Sequence, residues 1–311
     1  MSETTKIAYV FPGQGSQKVG MGRDLYDFSA AARSVFQEAD KVLGFPLSKL
    51  CFEGPEEELR LTNNAQPALL TMSIAAYQSA LQSVDKIKVA SPVFVAGHSL
   101  GEYTALVLAG VLDFASALYL ARERGRLMFE AGKKTPGAMA AVIGLDEAVV
   151  KTVCLETGTW LANVNCPGQL VISCAKENIA KAIELAKSKG AAIAIPLQVS
   201  GAFHSPLMQP AVEGLAAAMS KLNFKDAAIP LVANISVVPL TSALAIKEEL
   251  LQQLCNTVQW QGSVEYMLKN DTTVFMEIGA GNVLTGLVKR INKNVRTINI
   301  GTLAELGNII V

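Results

Sequence analysis

The sequence predicts an α/β fold, a parallel-sheet core into which a smaller βαββαβ unit is inserted. Three observations carry this expectation. Short continuous apolar runs recur along the chain: KIAYVF (6–11), VFVAG (93–97), IPLVANI (229–235), TVFMEIG (273–279) and VRTINIG (295–301). Runs without polar alternation indicate strands buried on both faces, as in a parallel sheet. Helical stretches between them supply the crossovers that parallel strands need. The middle of the chain breaks this rhythm and carries strands and helices in a different order.

The first run is bounded by PGQG, and the second leads into GHSLGEYTALVLAG. Gly110 and Asp113 divide the apolar region 104–121, so it reads as two buried helices rather than a membrane span. Asp113 is the expected N-cap of a helix running to Ala131. GAMAAVIG (137–144) then reads as a strand, and 146–157 as a helix opened by Asp146. TWLANVN (159–165) and QLVISCA (169–175) read as strands around Cys-Pro-Gly. Residues 176–189 read as a helix ended by Gly190, and AAIAIPLQV (191–199) as a last strand. The order βαββαβ is the split unit of a ferredoxin-like fold. It divides the chain into a discontinuous core, 1–131 with 203–311, and an inserted subdomain, 132–202. The cleft between two such units is the expected place for a ligand.

Composition narrows the function. The 311 residues include 27 basic and 27 acidic side chains, so no basic surplus points to nucleic acid. Half the residues are hydrophobic, yet no run is long enough to span a membrane. IAYVF is stopped by Pro12-Gly13 and is too short for a secretory signal. Five cysteines without a C-x-x-C pair fit a reducing, cytoplasmic setting, and two histidines leave little to build a metal site from. No organic cofactor is expected either: Gly13 and Gly15 have Lys18 where a dinucleotide loop needs its third Gly, and no GK[ST] occurs. The loop FPGQGSQ still offers Gln14 and backbone N–H groups at the carboxyl end of a strand, where sites on such sheets lie. Without a coiled-coil pattern, a monomer is expected.

Gly97-His98-Ser99-Leu100-Gly101 fits the G-x-S-x-G elbow, with a strand before it and a helix after it. Such a turn sets the hydroxyl at a helix N-terminus and aims the Leu100 N–H where an oxyanion forms. A plain turn with an idle serine fits the same letters. A nucleophilic Ser needs a base. His98 is its immediate neighbour, and adjacent side chains on a sharp turn diverge, which leaves His204 in SGAFHSPLM (200–208). The acid that often orients such a histidine is missing, for none follows His204 until Glu213. On the helix after Asp113, at about 100° per residue, Ala117, Leu120, Ala121, Leu127 and Met128 form an apolar face with Arg124 in its middle. A guanidinium there either grips an anion bidentately, joins a buried ion pair, or snorkels out.

Nine blocks in one order resemble the malonyl-CoA:acyl carrier protein transacylases over essentially the whole chain. They are FPGQGSQ (11–17), NNAQPALL (63–70), GHSLGEY (97–103), RERGRLM (122–128), GAMAAVIGL (137–145), NCPGQLVIS (165–173), SGAFHSPLM, VQWQGSVEYM (258–267) and EIGAGNVLTGL (277–287). The resemblance implies an α/β-hydrolase-like core with a ferredoxin-like insert, and transfer of malonyl from malonyl-CoA to the phosphopantetheine thiol of acyl carrier protein for fatty acid synthesis. It implies Ser99 as nucleophile, His204 as base, Gln14 and Leu100 as the oxyanion hole, and Arg124 as the grip on the malonyl carboxylate. It assigns the orientation of the histidine to the backbone carbonyl of Gln253, and it places Asn165 and His98 near the substrate. An acidic carrier would meet basic residues: Lys289, Arg290, Lys293 and Arg296 against Glu305, or Lys133, Lys134, Lys181, Lys187 and Lys189. The rivals are a serine hydrolase or thioesterase, a non-catalytic sensor of malonyl-CoA, and a transacylase of polyketide synthesis.

Overall fold

A computed structural model describes residues 5–83 and 91–307. The strands are β1 (Ile7–Phe11), β2 (Phe94–Gly97), β3 (Gly137–Ile143), β4 (Trp160–Cys166), β5 (Gln169–Ala175), β6 (Ile193–Pro196), β7 (Leu231–Val232), β8 (Pro239–Leu240), β9 (Val274–Ile278) and β10 (Arg296–Ile300). The larger sheet has the order β10-β9-β1-β2-β7-β8, parallel throughout except for β8, which pairs antiparallel with β7. As the continuous apolar runs imply, both faces are covered. Ile7, Tyr9 and Phe11 of β1 pack with the helices Ala30–Leu43, Thr62–Ser83 and Phe114–Lys134, while Ala8 and Val10 pack with Trp260, Val264 and Leu287.

The smaller sheet, order β4-β5-β3-β6, is antiparallel throughout. The helices Glu147–Thr157 and Ile179–Ser188 cover one face through Val150, Val153, Ala182 and Ala186 against Ala140, Val142 and Ile172. The other face, with Met139, Ala141 and Val171, looks into a cleft shared with the larger sheet. A bridge between Asn163 and Val258 ties β4 to the core.

Several expected elements differ in extent. The strand expected over 229–235 pairs only at Leu231–Val232, because the chain then turns to bring Asn234 beneath the Ser99 turn. β8 was not expected at all, being a two-residue edge that contains a Pro. The last strand of the smaller sheet covers 193–196 rather than 191–199, and the helix expected from 176 begins as a 3₁₀ turn at Lys176–Asn178. Asp113 caps its helix by accepting the Ser116 N–H at 2.7 Å. Asp146 stands at the N-cap of Glu147–Thr157, but its side chain makes no capping bond.

Two glycines explain how the Ser99 turn fits. A Cβ on Gly97 would lie 1.8 Å from the Gly101 carbonyl carbon, and one on Gly101 would lie 2.0 Å from the Phe11 oxygen. The elbow therefore closes on itself and presses against the end of β1, with backbone on both sides. Gly101→Ala is expected to destabilise the fold by at least about 1–3 kcal/mol, since backbone cannot yield as a side chain tip can. Denaturant unfolding checks this; an unchanged midpoint would contradict the packing.

Candidate active site

β2 ends at Gly97 and the helix Gly101–Leu108 begins three residues after His98, so Ser99 occupies the sharp turn between them. Its φ is +51°, a left-handed conformation rare outside glycine and typical of strained functional turns. Asn234 holds the turn from below: its Oδ1 accepts the Ser99 N–H at 2.7 Å, and its Nδ2 donates to the Gly97 carbonyl at 2.7 Å. The Leu100 N–H lies at the N-terminal end of the same helix, among the donors without an intrahelical acceptor.

His204 lies on the loop where the chain leaves the smaller sheet, also at positive φ, +57°. Its Nε2 is 2.8 Å from the Ser99 Oγ, and its Nδ1 is 2.8 Å from the Gln253 carbonyl oxygen. A carbonyl only accepts, so Nδ1 carries the hydrogen and Nε2 is free to take the serine proton. Burial, and after it the Arg124 charge, push the His204 pKa down to about 3, so the imidazole is neutral at physiological pH. Here a main-chain carbonyl does what the missing acid would do, fixing the tautomer without adding a charge.

Arg124 is 1% exposed, yet among the described residues it forms no salt bridge. Its Nη1 donates to Gln66 Oε1 at 2.8 Å; its Nη2 donates to Gln253 Oε1 at 2.7 Å and to the Ser99 Oγ at 3.0 Å. Among the described residues the Nε–H has no acceptor, and the guanidinium sits 5.2 Å from the Tyr103 ring centroid. Of the three options that periodicity leaves open, snorkelling and a buried ion pair are both absent. The neighbouring Arg126, by contrast, pairs on the surface with Glu123 and Glu130.

Gln14 follows β1, and its Oε1 accepts from the Thr62 hydroxyl at 2.5 Å, which sets this loop at the cleft beside Ser99. His98 turns away from Ser99 as expected: its Nε2–H donates to Asn165 Oδ1 at 2.9 Å, and burial lowers its pKa. Gln14, His98, Ser99, Arg124, Asn165 and His204 line one cleft of ≈480 Å³, whose apolar wall includes Met139, Val171, Leu197, Val283 and Leu287; Leu100 and Gln253 stand behind it. Gln66, Glu102 and Asn234 were not singled out from the sequence. Each is a polar residue in an apolar stretch of sequence, a pattern that signals a buried partner without naming it.

The Arg124 charge contributes to holding His204 low. Arg124→Ala is therefore expected to raise the His204 pKa from about 3 toward its ordinary 6.5. Protonation then begins at higher pH, and the acid limb of any activity that needs the neutral base moves up with it. An imidazole NMR titration reads this directly; an unmoved or lower midpoint would contradict the coupling.

A serine hydroxyl, a neutral histidine and a buried guanidinium meeting in one cleft are the equipment of an enzyme that moves acyl groups. The chain belongs to the acyl transferase domain family, which matches residues 8–306. It is 48% identical over 299 residues to the malonyl CoA-acyl carrier protein transacylase of Bacillus subtilis, covering 94% of this chain and 93% of that protein. It is 45% identical over 291 residues to the Escherichia coli K12 protein of the same name, covering 92% and 93%. Among solved structures, the acyl-carrier-protein S-malonyltransferase of Bartonella henselae superposes with a TM-score of 0.93 at 41% identity, over 98% of both chains. A malonyl-transacylase in complex with its type II PKS acyl-carrier protein gives the same values. The parallel core with a small antiparallel subdomain is thus the architecture of this family. Among the described residues no helix is long and apolar enough to cross a membrane, and all five cysteines are free.

Proposed function

We propose that the chain transfers a malonyl group from malonyl-CoA to the phosphopantetheine thiol of an acyl carrier protein, through a malonyl ester on Ser99, and so supplies fatty acid synthesis in the cytoplasm. One observation carries the choice of acyl group: a buried guanidinium, with no salt-bridge partner among the described residues, stands 3.0 Å from the serine hydroxyl. Burying a cation without an anion costs several kcal/mol, on the order of the penalty for one desolvated ion. An acyl group ending in a carboxylate removes that cost by supplying the anion. The names of the relatives agree with this substrate.

The chemistry follows from the hydrogen bonds. His204 Nε2 takes the Ser99 proton as Oγ attacks the thioester carbonyl. The N–H groups of Gln14 and Leu100 face the oxyanion that forms. As the C–S bond breaks, the proton on Nε2 passes to the departing thiolate, and CoA leaves. The carrier thiol then enters, loses its proton to Nε2 and attacks the ester, and Oγ recovers the proton. CoA and the carrier present the same phosphopantetheine arm, so one apolar cleft serves both half-reactions. His98 and Asn165, bonded to each other, line the same cleft and face the thioester. Residues 132–202 form the unit that brings Asn165, Met139, Val171 and Leu197 against the core, 1–131 with 203–311. The carrier docks at the cleft mouth near Arg290, which bonds Gln169 on the cleft rim.

The test is the fate of the acyl group. With malonyl-CoA and holo-carrier, malonyl-carrier and free CoA are expected to appear in equal amounts, with little malonate. Release of free malonate in place of malonyl-carrier would make the protein a hydrolase. Tight reversible binding without turnover would make it a sensor.

A further inference from the structure

Glu102 is 0% exposed, one turn beyond the nucleophile, and the reaction above makes no use of it. Its Oε1 accepts the Asn234 N–H at 3.0 Å, and its Oε2 accepts Gln253 Nε2 at 2.5 Å. That same Nε2 also donates to the Ser99 carbonyl at 3.0 Å. The Gln253 amide therefore has a forced direction. Its NH₂ meets only acceptors, a carboxyl oxygen, a main-chain carbonyl and, at 3.5 Å, Asn234 Oδ1, and its oxygen meets the donor-only Arg124. Turned over, it would set NH₂ against guanidinium and oxygen against oxygen. Gln253 thus joins the two halves of the site: its carbonyl orients His204, and its side chain orients Arg124.

We propose that Glu102 is a positioning residue, which acts through the Gln253 amide to hold the Arg124 fork at Ser99 and thereby sets the preference for an acyl group with a terminal carboxylate. The inference rests on the malonyl reading above. It goes beyond that reading by assigning the selectivity to a chain of three side chains, Glu102, Gln253 and Arg124, of which only the last would touch substrate. A Gln at 102 must turn an NH₂ toward either Asn234 N–H or Gln253 Nε2, so one donor loses its acceptor. A Met at 253 removes the amide but keeps the main-chain carbonyl that faces His204.

The experiment measures the rates at which malonyl-CoA and acetyl-CoA acylate the whole protein, by rapid quench and intact mass. The proteins compared are wild type, Glu102→Gln, Gln253→Met, Arg124→Ala and the Gln253→Met/Arg124→Ala double variant. The malonyl-to-acetyl ratio is expected to fall by about tenfold or more in Glu102→Gln and Gln253→Met, the effect of one misplaced charge-assisted hydrogen bond. In the Arg124→Ala background, Gln253→Met is expected to leave the ratio where Arg124→Ala put it, because the chain has lost its end. A purely structural role would lower both rates together and leave the ratio unchanged, and that result would overturn the proposal. So would an equal further fall in the double variant. Should Glu102→Gln not fold, Gln253→Met and the double variant decide alone. If the wild type shows no preference for malonyl, the substrate reading itself fails, which is a different outcome from a preference that survives these substitutions.

Discussion

Arg124→Ala is expected to lower malonyl loading by about two to three orders of magnitude, while acetyl loading falls by less than about tenfold. The two numbers differ because the guanidinium has two jobs of unequal weight. On the function proposed above, it supplies malonyl with charge-assisted, bidentate hydrogen bonds from a guanidinium that is 1% exposed. Toward acetyl it supplies only its contact with Ser99 and the order it imposes on Gln66 and Gln253. Arg124→Lys is not expected to restore selectivity, since an ammonium cannot span Gln66, Gln253 and a carboxylate from one plane. Steady-state kcat/KM for both thioesters checks this, and equal losses would remove Arg124 from its assigned role.

Ser99→Ala and His204→Ala are each expected to lower kcat by about 10⁴-fold or more, and the double variant is expected to be no slower than the worse single one. The 2.8 Å bond between Oγ and Nε2 makes the pair one device, so removing either half removes the covalent route. The KM for malonyl-CoA should change far less, because Arg124 and the apolar cleft wall are untouched. Single-turnover kinetics separates the two effects. A His204→Ala protein that loads malonyl at more than about a tenth of the normal rate would assign the base elsewhere.

Much of this was legible in the chain. The G-x-S-x-G turn shows itself because its glycines answer to backbone contacts, Gly97 with Gly101 and Gly101 with the end of β1. Arg124 shows itself because helical periodicity puts a charge on an apolar face. The group that orients His204 is a different matter. A main-chain carbonyl leaves no side-chain signature, so the residues end in a missing acid, and only the family resemblance points to Gln253. The polar network beneath the elbow was hidden by distance. Gln66 meets Arg124 across 58 residues, and Glu102 meets Gln253 across 151. A sequence can show that a buried polar residue needs a partner, but the partner is chosen by the way the strands assemble. The same assembly shortened β7, since turning Asn234 under Ser99 takes the chain out of the sheet.

The most direct measurement is the covalent one. After brief incubation with malonyl-CoA and an acid quench, digestion and peptide mass mapping are expected to show a single malonyl group on the peptide that contains Ser99. That group should be absent from Ser99→Ala and should be discharged when holo-carrier is added before the quench. A malonyl group on another residue, or turnover with no covalent adduct in a rapid quench, would contradict the account.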